Sequence, residues 1–185
     1  VATCFLFVNS LDDESCLCLR LHQQGGIEAP LEQRPFAEIK SLQKDATTMI
    51  VVSARNVTLH QVELPWLPEK KARAALPYAL EDRLASNVDE LHVAFDRAHY
   101  QEGHYLVAIC DKAWLANIVD SLEKHELDFD AITIDWFALN DNELVVMSDS
   151  LLVYDKHHII GALTSDLASL YLAKISTEIT AYTFT

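Results

Sequence analysis

The sequence predicts a mixed α/β fold built from small repeated sheets, and three observations carry that reading. Three strand-like segments, a short helix and a further strand occupy residues 1–55, and the same order returns near residues 130–184. Between the two runs lies one strong amphipathic helix with a proline inside it. Of 185 residues, 50% are hydrophobic while only 4 are glycine and 5 proline, which marks an ordered chain large enough for a real core.

Each element has its own signal. Thr3–Val8 (TCFLFV) is a buried-strand run, Asn9–Glu14 a polar turn, and Cys16–His22 a second strand. Gly25-Gly26 marks the next turn, before a short strand at Ile27–Leu31. Phe36, Ala37, Ile39 and Leu42 make a short helix, and Met49–Ser53 returns as a strand. Three strands, a helix and a strand are the opening of a ribonuclease-H-like or actin-like subdomain, an order that several other α/β folds share. Val57–Leu64 alternates as a further strand. Leu91–Ala98 and His104–Cys110 form a hairpin around Tyr100-Gln101-Glu102-Gly103. Asp111 is placed to cap a helix whose stripe is Leu115, Ile118, Val119 and Leu122. Phe129–Leu139, Leu144–Met147, Leu151–Tyr154 and Ile159–Leu163 read as strands. A helix capped by Thr164 or Ser165 runs through Lys174, and Glu178–Phe184 is a last strand. The expected division is a first ribonuclease-H-like subdomain over 1–55, a central inserted subdomain over 56–128 and a second ribonuclease-H-like subdomain over 129–185, truncated at its C-terminal end.

The chain is organised around the stretch 64–95. Leu64-Pro65-Trp66-Leu67-Pro68 is extended, because each proline pushes its predecessor out of the α region. Pro68 suits a helix start. Ala72, Ala75, Leu76, Ala79, Leu80 and Leu84 then form one buried stripe, and Asn87 is a plausible stop. Pro77 cannot donate to the carbonyl of Arg73, so a kink or two abutting helices are expected. Lys70, Lys71 and Arg73 precede Glu81 and Asp82, an order that opposes the dipole of a single helix. The conflict eases if Pro77 begins a second helix. The charged side reads either as a solvated face or as a surface kept for a protein partner.

Composition excludes several classes. With 14 basic and 28 acidic residues the formal net charge is −14, which argues against nucleic-acid binding and fits a partner with a basic face. Cys4, Cys16, Cys18 and Cys110 are too scattered for a disulfide scaffold, and read as buried thiols of a reducing compartment. No signal peptide and no apolar run approaching the roughly 20 residues of a membrane span is visible. The chain begins without methionine, so a fragment, with an anchor beyond Thr185, is compatible with it.

A search for chemistry finds no catalytic, cofactor or metal constellation. A phosphate-binding turn of the actin type needs glycine, so that backbone N–H groups can approach phosphate oxygens. The turn Asn9-Ser10-Leu11-Asp12-Asp13-Glu14 has no glycine and three acids, and Ser148-Asp149-Ser150 also lacks one. No GxxxxGK[ST] or GxSxG pattern occurs. His157-His158 has no second ligand pair at zinc spacing, and Asp128 and Asp130 fall on the opposite strand face from Asp135. The reading is actin-like subdomains without a functional nucleotide site, and no enzyme. Its alternative is a metal-dependent actin-like or ribonuclease-H-like enzyme using Asp12, Asp13 or Glu14.

Leu64-Pro65, then Ala75-Leu76-Pro77-Tyr78-Ala79-Leu80-Glu81-Asp82, then Val88-Asp89-Glu90-Leu91-His92 resemble the cytoplasmic domain of the L protein of bacterial type II secretion systems. Weaker similarity runs through the hairpin, the Trp114 helix and the strands over 151–163. The resemblance implies an inner-membrane protein whose actin-like cytoplasmic domain does not hydrolyse nucleotide and recruits the secretion ATPase, the E protein, through that protein's N-terminal domain. It also implies the platform M and F proteins as partners, a possible homodimer and a single membrane span. The runner-up is the actin-like protein of type IV pilus assembly, which normally keeps the glycine turn. For partner contact the acidic exit of the helix, Glu81, Asp82, Asp89 and Glu90, suits a basic surface, while Pro77 and Tyr78 read as architectural.

Overall fold

A computed structural model of the chain describes residues 1–8, 14–147, 149–155, 160–174 and 179–183. Its first half runs β1 (Ala2–Phe7), β2 (Ser15–Leu21), β3 (Ile27–Pro35), α1 (Phe36–Gln43), β4 (Ala46–Val52), β5 (Thr58–Glu63), α2 (Glu69–Leu80) and β6 (Leu91–Phe95). The second continues β7 (His104–Asp111), α3 (Lys112–Lys124), β8 (Ala131–Ile134), β9 (Glu143–Val146), β10 (Ser150–Tyr154), β11 (Ile160–Thr164), α4 (Ser165–Leu172) and β12 (Thr180–Thr183). These elements fall into two compact units, Val1–Ser53 with Ala116–Phe137, and Ala54–Leu115 with Ala138–Thr185.

The first unit is a five-stranded sheet in the order β3-β2-β1-β4-β8. β1, β2 and β3 are antiparallel, and β4 and β8 join in parallel. Alternation along β1 and β2 sends Cys4, Leu6, Cys16 and Cys18 into the core with Ile39 of α1 and Ile50 of β4, all at 0% exposure. The Arg20 guanidinium donates to the backbone carbonyls of Leu42 and Lys44, which satisfies acceptors at the C-terminal end of α1. β3 runs four residues beyond the expected Ile27–Leu31, because β2 pairs with it as far as Ser15↔Pro35. As an edge strand it tolerates Pro30 and Pro35. The strand expected over Phe129–Leu139 is only Ala131–Ile134. Pairing with β4 lasts only from Ala131 to Ile134, and the chain then turns into a 3-10 helix, Asp135–Ala138, that buries Trp136.

The second unit repeats this topology. Its four-stranded sheet has the order β11-β10-β9-β12, with three antiparallel strands and β12 parallel to β9. That matches β3-β2-β1-β4 strand for strand, and α4 follows the third strand as α1 does. Leu144, Leu151 and Val153 form its core, with Ala168 and Tyr171 of α4 packed on them. The same unit carries a three-stranded antiparallel sheet, β5-β7-β6, against which α2 packs. The hairpin arm expected to reach Ala98 stops at Phe95, because Asp96 Oδ1 accepts the Ala98 N–H at 2.9 Å and turns the chain. At the hairpin tip Glu102 and Gly103 both hold positive φ, 49° and 84°, the backbone of a tight turn matched to strand twist. Asp111 caps α3 as expected, its Oδ1 accepting the Trp114 N–H at 2.6 Å.

Candidate functional site

α2 begins where proline chemistry places it. Pro68 is extended (φ −54°, ψ 145°), and its carbonyl accepts the N–H groups of Lys71 at 2.8 Å and Ala72 at 2.9 Å. Ala72, Leu76 and Leu80, four residues apart, are fully buried against Val62, Tyr105, Val107 and Ile109 of the small sheet. Aromatic rings hold the approach to the helix. Tyr100 and Tyr105 stand 4.7 Å apart at their centroids, Phe95 meets Tyr105 edge-on at 5.7 Å, and Tyr100 donates to the Leu64 carbonyl at 3.1 Å. Trp66 is half exposed, with the Arg97 guanidinium 4.3 Å above its ring.

Pro77 does not divide the helix. α2 is continuous from Glu69 to Leu80 with Pro77 inside it, because Leu76 and Leu80 anchor the turns on either side in the core. It ends four residues before the expected Leu84, passing into a 3-10 turn at Glu81–Arg83 that closes with the Leu84 N–H on the Glu81 carbonyl. Asn87 is not the helix stop. Its side chain caps the next 3-10 turn, Val88–Glu90, accepting the Asp89 N–H at 3.1 Å. The charge conflict therefore stands: Lys70 and Lys71 lie at the positive end of a single helix dipole, with Glu81 and Asp82 at its negative end. Each such exposed charge costs about 0.3–1 kcal/mol.

The four candidate contact residues occupy these two turns. Glu81, Asp82, Asp89 and Glu90 are all exposed. Among the described residues none of their carboxylates enters an ion pair, although Arg73 pairs with Glu69 at 2.9 Å on the same helix. Tyr78, read from sequence as architectural, is 79% exposed. Its position was available in the pattern, since it lies on the side of the helix away from Ala72, Leu76 and Leu80. Tyr105 was missed as well, although strict alternation with Val107 and Ile109 turns it inward.

The other candidates do not assemble into a site. Asp130 serves the sheet, its Oδ2 accepting the Thr48 N–H at 2.7 Å. Glu14 lends its carbonyl to the first N–H of α1. Asp12, Asp13, Ser148 and the pair His157-His158 lie outside the described residues. Among the described residues no three His, Cys, Asp or Glu side chains are grouped to hold a metal ion, and no helix is long and apolar enough to cross a membrane. An open cleft of about 520 Å³ in the first unit, lined by Lys40, Lys44, Thr48, Glu126 and Asp130 among others, mixes both charge signs; the Lys40–Glu126 pair on its wall holds the Glu126 carboxyl below the usual range.

Comparison with known proteins fixes what kind of domain presents this helix. The sequence profile of the family "Type II secretion system (T2SS), protein L" matches residues 22–185. The chain belongs to that family. It is 29% identical over 107 residues to the type II secretion system protein L of Dickeya chrysanthemi, a match covering 55% of this chain and 26% of that protein. With the protein L of Pectobacterium carotovorum subsp. carotovorum it shares 33% identity over 73 residues, covering 37% and 17%. These matches thus span about a quarter or less of the relatives' length.

Among solved structures, the cytoplasmic domain of EpsL, an inner membrane component of the type II secretion system of Vibrio cholerae, aligns with a TM-score of 0.74 at 20% identity, over 100% of this chain and 83% of that one. A chain of the PilM–PilN type IV pilus biogenesis complex aligns at 0.58 with 18% identity, covering 89% and 62%. A Bacteroides thetaiotaomicron protein with an actin-like ATPase fold aligns at 0.50 with 10% identity, covering 94% and 75%. The mixed α/β fold is therefore of the actin-like kind, and its family is a component of the secretion machinery.

Proposed function

We propose that the chain is a non-enzymatic adaptor that brings the secretion ATPase, the E protein, to the inner-membrane platform. The observation that carries this reading is the core-anchored helix of an L-family domain, at whose end Glu81, Asp82, Asp89 and Glu90 are exposed and, among the described residues, have no ion-pair partner. Exposed carboxylates beside an anchored helix suit a basic surface on the N-terminal domain of the ATPase. The three acids and the lack of glycine in the sequence over 9–14 support the absence of nucleotide hydrolysis, since three carboxylates repel a triphosphate. Membership of the L family separates the chain from the type IV pilus reading.

In this reading the domain lies on the cytoplasmic face of the bacterial inner membrane as part of a single-pass protein. The platform M and F proteins, and a second copy of the chain, are its further partners. Titration calorimetry of the chain against the N-terminal domain of the cognate ATPase, and separately against ATP with magnesium, tests the reading. Heat with the protein and none with nucleotide is expected. Nucleotide binding without protein binding would overturn it, and would return Asp12, Asp13 and Glu14 to consideration as metal ligands.

A further inference from the structure

The outward face of α2 carries more than exposed acids. With Ala72, Leu76 and Leu80 turned inward, Lys70, Lys71, Ala74, Tyr78, Glu81 and Asp82 share the opposite side, and all are exposed. Its centre is Tyr78, an aromatic ring at 79% exposure flanked by the small Ala74. A ring that contributes nothing to the core beneath it, fixed on a helix whose other side is locked, has the character of an interface anchor: large, rigid and with little rotamer entropy to lose. The two ends of the face carry opposite charge, against the helix's own dipole. Lys71 and Asp82 are eleven positions apart, nine steps of α-helix and two of 3-10 turn that span roughly 17 Å, with Tyr78 between them.

We infer that this face docks a partner helix through Tyr78, and that the charges fix the partner's polarity. The complementary surface carries acidic side chains opposite Lys70 and Lys71, basic ones opposite Glu81 and Asp82, and an apolar pocket between them for the ring. In an α-helix, acids first and bases last is the order its own dipole favours. A helix that lies parallel to α2, acidic at its start and basic at its end, meets both demands, and the occupant inferred here is such an amphipathic helix on the secretion ATPase. This rests on the adaptor reading and deepens it, because it makes an aromatic contact, with charge as a register, the centre of recognition.

The test compares the wild-type chain with Tyr78→Ala, Glu81→Lys/Asp82→Lys and Lys70→Glu/Lys71→Glu, each titrated with the cognate secretion ATPase and checked by circular dichroism. Tyr78→Ala keeps the fold and weakens binding about thirtyfold, the scale of an interface hot spot. Each charge reversal weakens it by about threefold to tenfold, and the deficit shrinks as salt is added. If the wild type does not bind, the adaptor reading falls and this proposal with it. If the wild type binds and Tyr78→Ala stays within about twofold of it, the docking face is overturned alone. Concentration-dependent dimerisation that Tyr78→Ala abolishes, without any effect on ATPase binding, would reassign the face to a second copy and overturn the occupant named here.

Discussion

The Tyr105 hydroxyl reaches both polar backbone groups of Leu67, accepting its N–H at 2.7 Å and donating to its carbonyl at 3.4 Å. Leu67 lies between Trp66 and Pro68, ahead of the helix, where no regular ladder can satisfy it. A fully buried side chain on the central strand of the small sheet thus fixes the point at which α2 starts. Tyr105→Phe removes one oxygen and orphans a backbone donor, which costs about 1–3 kcal/mol. A fall in melting temperature of several degrees is expected, at about 2–4 °C per kcal/mol for a chain of this size. Thermal unfolding followed by circular dichroism checks it, and a variant that melts with the wild type would show that Tyr105 does not latch the helix.

The two faces of α2 make a sharper comparison. Leu76 is 0% exposed in the core beneath the helix, so Leu76→Ala leaves a cavity and costs about 2–5 kcal/mol. Tyr78, two residues on, loses almost no packing as Ala, and its substitution stays within about 0.5 kcal/mol. Urea denaturation of both variants measures the contrast. Equal losses would mean that Tyr78 is held against the body of the protein and is no interface residue.

What the sequence disclosed and what it hid divide along physical lines. Periodicity depends on burial, so elements with one clean buried face were readable: β1, β2, α1, β4, and the repeat of three strands, a helix and a strand. Local capping chemistry was readable in part. Asp111 caps α3 as its position suggests, but the acceptor side chains of Asn87 and Asp96 open 3-10 turns where a helix stop and a continuing strand were expected. Pairing across the chain left no local mark. β8 is short because β4 stops pairing with it, and β3 is long because β2 continues, facts that reside in the partner strands. At the candidate site the four acids were legible as charge. Tyr78 was not, because an aromatic residue inside an apolar run is read as core unless its angle around the helix is worked out.

The second sheet predicts a pH dependence. Tyr171 of α4 donates to Asp155 Oδ2 at 3.2 Å, and burial together with the nearby carboxylate pushes its phenol up to about 12. The folded state therefore keeps the proton that the unfolded chain releases near its ordinary value of about 10. The contribution is fully present below that value and is lost as pH rises through about 12. Ultraviolet titration of phenolate should show a late step that disappears in Tyr171→Phe, and the variant's stability should fall less steeply above pH 10 than the wild type's. A titration curve of unchanged shape would mean that Tyr171 is not held against Asp155.

Thiol chemistry offers the last prediction, and it probes the first unit separately from the second. Cys4, Cys16 and Cys18 are at 0% exposure on one face of the β1–β2 pair. The Cys4 and Cys18 sulfurs lie 3.6 Å apart, and the Cys16 thiol donates to the Phe7 carbonyl at 3.4 Å. The hydrogen bond to Cys4, with burial, holds the Cys18 proton in place. The same bond draws the Cys4 thiol below its usual value, but Cys4 is at 0% exposure, and a thiol reacts only through a thiolate that reagent can reach. Cys110, in β7 of the second unit, is half-buried, and burial also pushes its thiol up. In native buffer near pH 7.5 a maleimide or a disulfide reagent should therefore modify Cys110 alone, and slowly. All four cysteines should react at once in denaturant. Mass mapping of the labelled peptides over time decides the order, and the labelling of Cys4, Cys16 and Cys18 should follow the population of opened sheet. Rapid native labelling of Cys4 or Cys18 would mean that β1 and β2 part on the timescale of the reagent, which their continuous pairing from Thr3↔Leu21 to Phe7↔Leu17 argues against.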